Sequence, residues 1–459
     1  MDSDKIVKGQ KVYLGQSHKC VPASLLIRNS KIQKIGSYED AKKWASELSL
    51  NVIDAGEASI IPGFFDTHAH INEPGRTDWE GFQSATRAAA AGGITSVVDM
   101  PLNSIPATTS LAALKIKRES AKNHCAINYA FWGGLIPGNF SELLPMILDG
   151  VIGFKCFLCP SGVDEFPHVG RKDLEEAMPL FAEHQIPLIV HAELESAPRN
   201  LQNFPSDSYE SYLQTRPPQM ELDAIELMME LCEKYRGPVH IVHLSTAEAL
   251  EKIRVAKEKG LPFTVETCPH YLHFSAEDIA SKATHFKCAP PIRNSANREA
   301  LWQGIEQGLI DFIVSDHSPC VPSLKCFESG NFVNAWGGIA GLQMSPLVVW
   351  TEMKKRNFKV PDLLKLMSAK PAAFAGFSDS RGVIDVGYCA DLVFFEEESE
   401  TPVNSESIFH KHKVSPYVGE RLSGKIAKTL VGGKTVFSEG NFVNSQSGVE
   451  IKRKVRRGE

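Results

Sequence analysis

The stretch Ile60-Ile61-Pro62-Gly63-Phe64-Phe65-Asp66-Thr67-His68-Ala69-His70 begins as an apolar run and ends with two histidines one residue apart. On a strand, residues i and i+2 face the same side, so both imidazoles aim into one space. There they can clasp a borderline-soft cation such as Zn²⁺, provided that other ligands converge from elsewhere. A His-x-His also occurs on surfaces and by chance, so the rest of the chain has to decide.

Working outward, eight short apolar or β-branched runs, each followed by a helix-like segment, occupy residues 60–68, 94–100, 127–135, 151–158, 187–192, 239–244, 263–268 and 311–315. Strands alternating with helices at this spacing predict an α/β fold whose parallel sheet closes into a TIM-like (β/α)8 barrel, here over residues 59–380. Thr77-Asp78-Trp79-Glu80 has capping-box spacing ahead of the alanine-rich residues 85–91, and Gly92-Gly93 stops that helix. The ends differ. Residues 11–14, 25–35 (broken at Asn29-Ser30), 390–395 and 426–437 (broken at Gly432-Gly433) read as strands and hairpins. They predict a small β-sandwich domain assembled from residues 1–58 and 381–445, followed by a basic tail, 446–459, whose Lys452–Arg457 charge run reads as solvated.

A net charge of -6, with 43% hydrophobic and 23% charged residues, gives no reason to expect nucleic acid or an anionic membrane as partner. A small molecule fits better. The first residues have neither an apolar signal core nor an Arg-rich transit character, and no apolar run is long enough to cross a bilayer. The expectation is a soluble intracellular protein, cytoplasmic by default, with peroxisome and mitochondrion open. Ten scattered cysteines read as reduced thiols. Cys156 and Cys159 lie three apart on a strand and so face opposite ways, which argues against a redox pair.

In a βα barrel the C-terminal ends of the strands share one mouth, where polar residues carry chemistry. Those ends bring His68 and His70 on the first strand, Lys155 on the fourth, His191 on the fifth, His243 on the sixth and Asp316 on the eighth. Four histidines at strand ends favour a cluster over independent structural roles. By alternation His240 faces away from His243, toward the helices, as a structural residue, and surface or capping roles suffice for His410 and the other histidines. Lysine has no lone pair for a metal while protonated, so beside cations Lys155 is displaced, deprotonated or chemically changed. As a neutral amine it can add CO₂, and the carbamate's two oxygens can each bind a metal. Asp316 can bind one metal and accept a proton from a water acidified by two, then pass it to a leaving nitrogen, which is the chemistry of amide hydrolysis.

With these residues in place the chain resembles the cyclic-amidohydrolase branch of the amidohydrolase superfamily: dihydroorotases, hydantoinases, dihydropyrimidinases and allantoinases. The resemblance implies one metal held by His68, His70 and Asp316, a second by His191 and His243, and an N6-carboxylated Lys155 bridging both. It also implies a bridging hydroxide as nucleophile with Asp316 as general acid and base, and a homotetramer. Imidazole, carboxylate and carbamate suit zinc, manganese, cobalt or iron(II), with zinc as the default. Dihydroorotases are similar but carry arginine where this chain has Asn72, and an amide cannot replace a bidentate fork on a carboxylate. Hydantoinases and dihydropyrimidinases have a tyrosine where Pro160 stands. Residues 72–82 and 153–166 look like the allantoinase signature, which implies allantoin as substrate and ring opening to allantoate. Asn72 and Asn103 suit a ureido group, and the loops holding Pro290 and Gly338 are candidate pocket walls. The alternatives are a hydantoinase or dihydropyrimidinase acting on simpler rings, and a metal-free scaffold of the same fold.

Overall fold

The computed structural model describes residues 4–195, 205–443 and 446–454. Its central element is a barrel of parallel strands: Phe64–Ala69, Ile94–Asp99, Asn128–Phe131 continued by Gly133–Gly134, Phe154–Phe157, Leu188–His191, Val239–Ile241, Phe263–Thr267 and Phe312–Ile313. The fourth to seventh strands pair in simple register, with Phe154 opposite Leu188, Leu188 opposite Val239 and Val239 opposite Phe263, whereas the first pairs with the second through two register shifts. The last strand returns to the first through Asp66, whose carboxylate accepts the N–H of His68 and that of Ser315, both at 2.9 Å. One turn higher, the His70 N–H donates to the His317 carbonyl at 2.7 Å.

Phe65, Val98, Ala130, Trp132, Ile152, Ile189 and Val242 belong to one apolar cluster within the barrel, which also takes in Ala372, Ala375, Phe377 and Ile451. With apolar side chains packed inside the barrel, polar strand-end residues meet at its mouth.

The two ends of the chain form one nine-stranded sheet. Lys5–Leu14, Lys19–Arg28, Lys31–Gly36, Val52–Asp54 and Ser59–Pro62 come from the first, and Leu392–Pro402, Arg421–Val431, Lys434–Ser438 and Asn441–Phe442 from the second. Both hairpin turns fall at the expected pairs, with φ of 50° and 63° at Asn29 and Ser30 and 53° and 78° at Gly432 and Gly433, the left-handed conformation that two-residue hairpins require. Val7, Leu25, Ile32, Ile60, Phe394 and Leu430 belong to one apolar cluster, so the sheet wraps over itself as a sandwich does.

Three expectations are corrected here. The run 60–68 is two strands, not one: Ser59–Pro62 pairs with Leu392–Phe395 in the outer sheet, and only from Phe64 does the chain enter the barrel. Thr77–Glu80 caps no helix. The helix is Phe82–Ala91, entered through Gly81 at φ 109°, and the Phe82 N–H donates to Glu73 Oε2 at 2.8 Å, while Glu80 is buried and accepts the Lys411 N–H. The basic tail is solvated only in part over its described residues: Lys452 and Lys454 of the charge run are exposed, whereas Arg453 is half-buried and the residues before the run are tied to the barrel. Its Ile451 N–H and Val449 carbonyl bond the backbone of Tyr129, and Glu450 pairs with Arg118. These contacts satisfy strand groups at the third barrel strand that would otherwise lack partners. Residues 455–459, including Arg456 and Arg457 of the charge run, lie outside the described residues.

Gly63 is the pivot between the two sheets. Its N–H donates to Asp391, and a Cβ there would lie 2.1 Å from Thr95 Oγ1 and 2.3 Å from Thr95 Cγ2. Thr95 is buried and β-branched, so it cannot swing away. Gly63→Ala is expected to destabilise the fold by about 1–3 kcal/mol as an overpacking change. Adding Thr95→Ala should restore part of the loss, which thermal denaturation of the single and double variants measures.

Candidate metal centre and active-site cavity

All six strand-end residues line one cavity of about 450 Å³ at the barrel mouth. They form two groups. In the first, His68 Nε2 and His70 Nε2 lie 3.1 Å and 3.5 Å from the same oxygen, Asp316 Oδ1. In the second, His191 Nδ1 and His243 Nε2 are 3.0 Å apart. The His68 and His243 rings, 5.4 Å between centroids, join the groups. Asp316 and His243 both hold left-handed backbone, φ 44° and 41°, a conformation that costs free energy and persists only where surroundings impose it.

The far side of each ring is also held. His68 Nδ1 meets Glu266 Oε1 at 2.5 Å, and His191 Nε2 meets Glu193 Oε2 at 2.7 Å. His70 Nδ1 lies 3.4 Å from the Asn103 amide, whose oxygen has no partner; turning the amide over places that oxygen on the ring. A carboxylate behind an imidazole fixes its tautomer and turns the other nitrogen's lone pair forward, as metal-ligating histidines require. Burial alone would lower the pKa of His68, but Asp316 and Glu266 outweigh it and raise the value to about 9. The field that favours a proton there favours a metal cation in its place. Burial lowers His70 to about 4, keeping it neutral, and likewise holds His243 well below its ordinary value. Asp316 sits well below its ordinary value, because His68 and His70 more than offset its burial.

Lys155 is 1% exposed, and among the described residues its Nζ makes no hydrogen bond or ion pair; it stands 5.1 Å from the Phe157 ring centroid. Burial pulls its pKa down to about 8. A buried amine without a partner, beside two converging nitrogen and oxygen groups, is what a carbamate bridge would start from. His68, His70 and Asp316 bring ligand atoms within 4.8 Å of one another and can hold a metal ion. Two further sets do so as well, Cys159 with His191 and Glu193, and Cys268 with His270 and Asp316. The donor chemistry of the centre therefore fits divalent metal.

Of the expected substrate contacts, Asn103 and Gly338 line the cavity and Asn72 and Pro290 do not. Asn72 is buried with φ 66°, and its amide donates to the Pro319 carbonyl at 3.2 Å, so it shapes the turn after the histidine pair. The Pro290 carbonyl accepts the Tyr271 hydroxyl at 2.7 Å behind the wall. Pro160, Ser161 and Gly162 line the cavity, with Ser161 Oγ turned to the Phe166 carbonyl. At the rim Arg76 pairs with Glu165, and Trp79 meets Trp336 edge-on at 4.9 Å.

His240 does not face the helices. It packs inside the barrel between Phe312 and Phe374, and its ring lies 3.1 Å from Glu266 Oε2. Alternation misled because the strand ends at Ile241 and His243 lies beyond it in left-handed backbone. His410, expected at the surface, is buried against His317. Glu193, Glu266 and Arg216 escaped the sequence reading. The signal for Glu266 was a lone acid inside a short strand of β-branched and aromatic residues, and that for Glu193 was an acid two residues past a strand-end histidine.

No helix among the described residues is long and apolar enough to cross a membrane. The model of the amidohydrolase family matches residues 59–436. The chain is 46% identical over 418 residues to an allantoinase of Arabidopsis thaliana, covering 87% of this chain and 82% of that protein. It is 43% identical over 392 residues to the allantoinase of Saccharomyces cerevisiae, covering 84% of each. Among solved structures, an L-hydantoinase from Arthrobacter aurescens superposes with a TM-score of 0.91 at 28% identity, over 98% of this chain and 100% of that one. With a family match spanning the whole barrel and both groups of strand-end residues, the chain belongs to the amidohydrolase family, in the group that contains these allantoinases.

Proposed function

We propose that this protein hydrolyses the hydantoin ring of allantoin to allantoate, using two divalent ions, zinc by default, held at the barrel mouth. The observation that carries the reading is the convergence of His68, His70, Lys155, His191, His243 and Asp316 on one cavity in a chain most of whose length aligns with allantoinases. A metal-free scaffold would have no need of all six. In this reading His68, His70 and Asp316 would hold one ion and His191 and His243 the other, with Lys155, once carboxylated, as a further anionic ligand. Such ions, when bound, acidify water and polarise a carbonyl.

The chain's own residues do the rest. Asp316 is ionised, buried and beside both histidines of the first group, so it can take a proton from water and deliver it to the departing ring nitrogen. Ser318 Oγ donates to Asp316 Oδ1 at 3.0 Å and fixes the carboxylate's angle. Glu266 and Glu193 hold the rings of His68 and His191 in one tautomer. Asn103 and the backbone around Gly338 offer neutral partners for a neutral substrate, and Arg216 and Lys287, also on the wall, suit the anionic product.

The purified protein should open allantoin faster than hydantoin or dihydrouracil, and a chelator should abolish the activity until divalent metal is restored. Preference for dihydrouracil or unsubstituted hydantoin would make it a hydantoinase or dihydropyrimidinase instead. Asp316→Asn should lower kcat by about 10²–10⁴-fold, the usual worth of a positioned acid–base group; near-normal turnover would remove Asp316 from the proton path. Lys155→Ala should lose metal and activity together and regain part of both with short carboxylic acids, measured by metal content and turnover side by side.

A further inference from the structure

Behind His191 and His243 lies a chain of charges that two metal ligands do not need for themselves. Glu193 is fully buried. Its Oε2 meets His191 Nε2 at 2.7 Å and also accepts from Arg216 Nη1. Arg216 sits between the helices Tyr209–Thr215 and Pro218–Tyr235, its side chain 26% exposed on the cavity wall. The Arg216 carbonyl accepts from Arg293 Nη1 at 3.3 Å, and Arg293 Nη2 donates to Glu221 Oε1 at 2.6 Å. The other oxygen, Glu221 Oε2, takes the backbone N–H groups of Ser245 and Thr246 at 3.0 and 3.1 Å. Those residues directly follow His243-Leu244. The path therefore starts on the ring of His191 and ends on the loop that holds His243 in left-handed backbone.

We propose that Glu193, Arg216, Arg293 and Glu221 form a positioning brace for the second pair of metal ligands, with Arg216 joining its two halves. The assignment rests on the reading of His191 and His243 as ligands of one ion. Burying two carboxylates and the Arg293 guanidinium, with Arg216 half-buried beside them, is costly, and apolar residues of similar volume would often stabilise a fold as well. What an ion-pair chain adds is direction. Arg216 Nη1 and His191 Nε2 meet on the same oxygen, Glu193 Oε2, so the guanidinium holds the carboxylate that fixes the His191 ring, and Glu221 holds the turn that presents His243. The opposing halves set the 3.0 Å approach of His191 Nδ1 to His243 Nε2. The first group, His68 with His70 and Asp316, is held separately by Glu266, Asp66 and the His317 backbone. Weakening the brace should accordingly act on one metal and not on both.

The test uses the purified full chain loaded with zinc or cobalt(II). Wild type, Glu193→Gln, Arg216→Lys and His191→Asn are compared by metal content, by the rate of metal release to a chromogenic chelator, and by the visible spectrum of the cobalt form. Glu193→Gln should bind the first ion normally and the second about 10–100-fold more weakly, with a changed cobalt spectrum. Arg216→Lys, which keeps the charge but not the fork, should fall between it and wild type. It carries the same readout if Glu193→Gln is recovered unfolded. Unchanged release of both ions from Glu193→Gln and Arg216→Lys overturns the brace, and so does equal weakening of both ions, which marks a general packing defect. Retention of two tightly bound ions by His191→Asn would instead overturn the ligand reading beneath it.

Discussion

One buried carboxylate governs the geometry of the mouth. Asp66 takes an N–H from the first barrel strand and another from the last, drawing His68 and Ser315 to a common point and so setting Asp316 against His68 and His70. Burial raises the Asp66 pKa to about 6, so closing the barrel here works against the ionised form. Together with the His70 N–H to His317 carbonyl bond, that carboxylate fixes the strand bearing His68 and His70 against the one leading to the aspartate, although the two segments lie far apart in sequence. The geometry of the candidate metal site is in this sense a property of the barrel seam.

Electrostatically the site is layered. Neutral or metal-ready imidazoles face the cavity, and a ring of carboxylates stands behind them: Glu266 behind His68, Glu193 behind His191. Glu266 is held down to about 2 against its burial, chiefly by His68 and His240, and Glu193 is likewise kept below its usual value by Arg216 and His191. The carboxylates thus stay ionised while out of water, and their charge is spent on orienting rings. This explains why His240 lies inside the barrel: it is a second partner for Glu266, and its position beneath the site belongs to the support of His68.

Much of this was legible in the sequence, for identifiable reasons. Strand-end positions in a βα barrel are defined by where apolar runs stop, so His68, His70, Lys155, His191, His243 and Asp316 could be picked out without coordinates, as could the hairpins at Asn29-Ser30 and Gly432-Gly433. Legibility failed where backbone geometry changed within a run. Gly63 ends one strand and starts another, which periodicity cannot see because both are apolar and buried. His243 lies past its strand's end, so counting by twos assigned the wrong side to His240. Asn72 has the polarity of a binding residue, yet its left-handed φ and its bond to Pro319 make it a turn former. The partners of the ligands were hidden because an acid at an apolar strand's end is informative only once the neighbouring strand is known.

The outer sheet has a consequence for how the chain comes together. Its strand Ser59–Pro62 has Lys5–Leu14 on one side and Leu392–Phe395 on the other, a neighbour synthesised roughly 330 residues later. Until that neighbour arrives, a short apolar edge stands open just ahead of the histidine pair, the kind of edge that invites pairing with another chain. Contacts so distant in sequence also slow folding, since a large loop has to close before they form. The nascent protein therefore carries an open apolar edge beside its histidine pair while the whole barrel is being made, and the strand that covers it follows only after the last barrel strand.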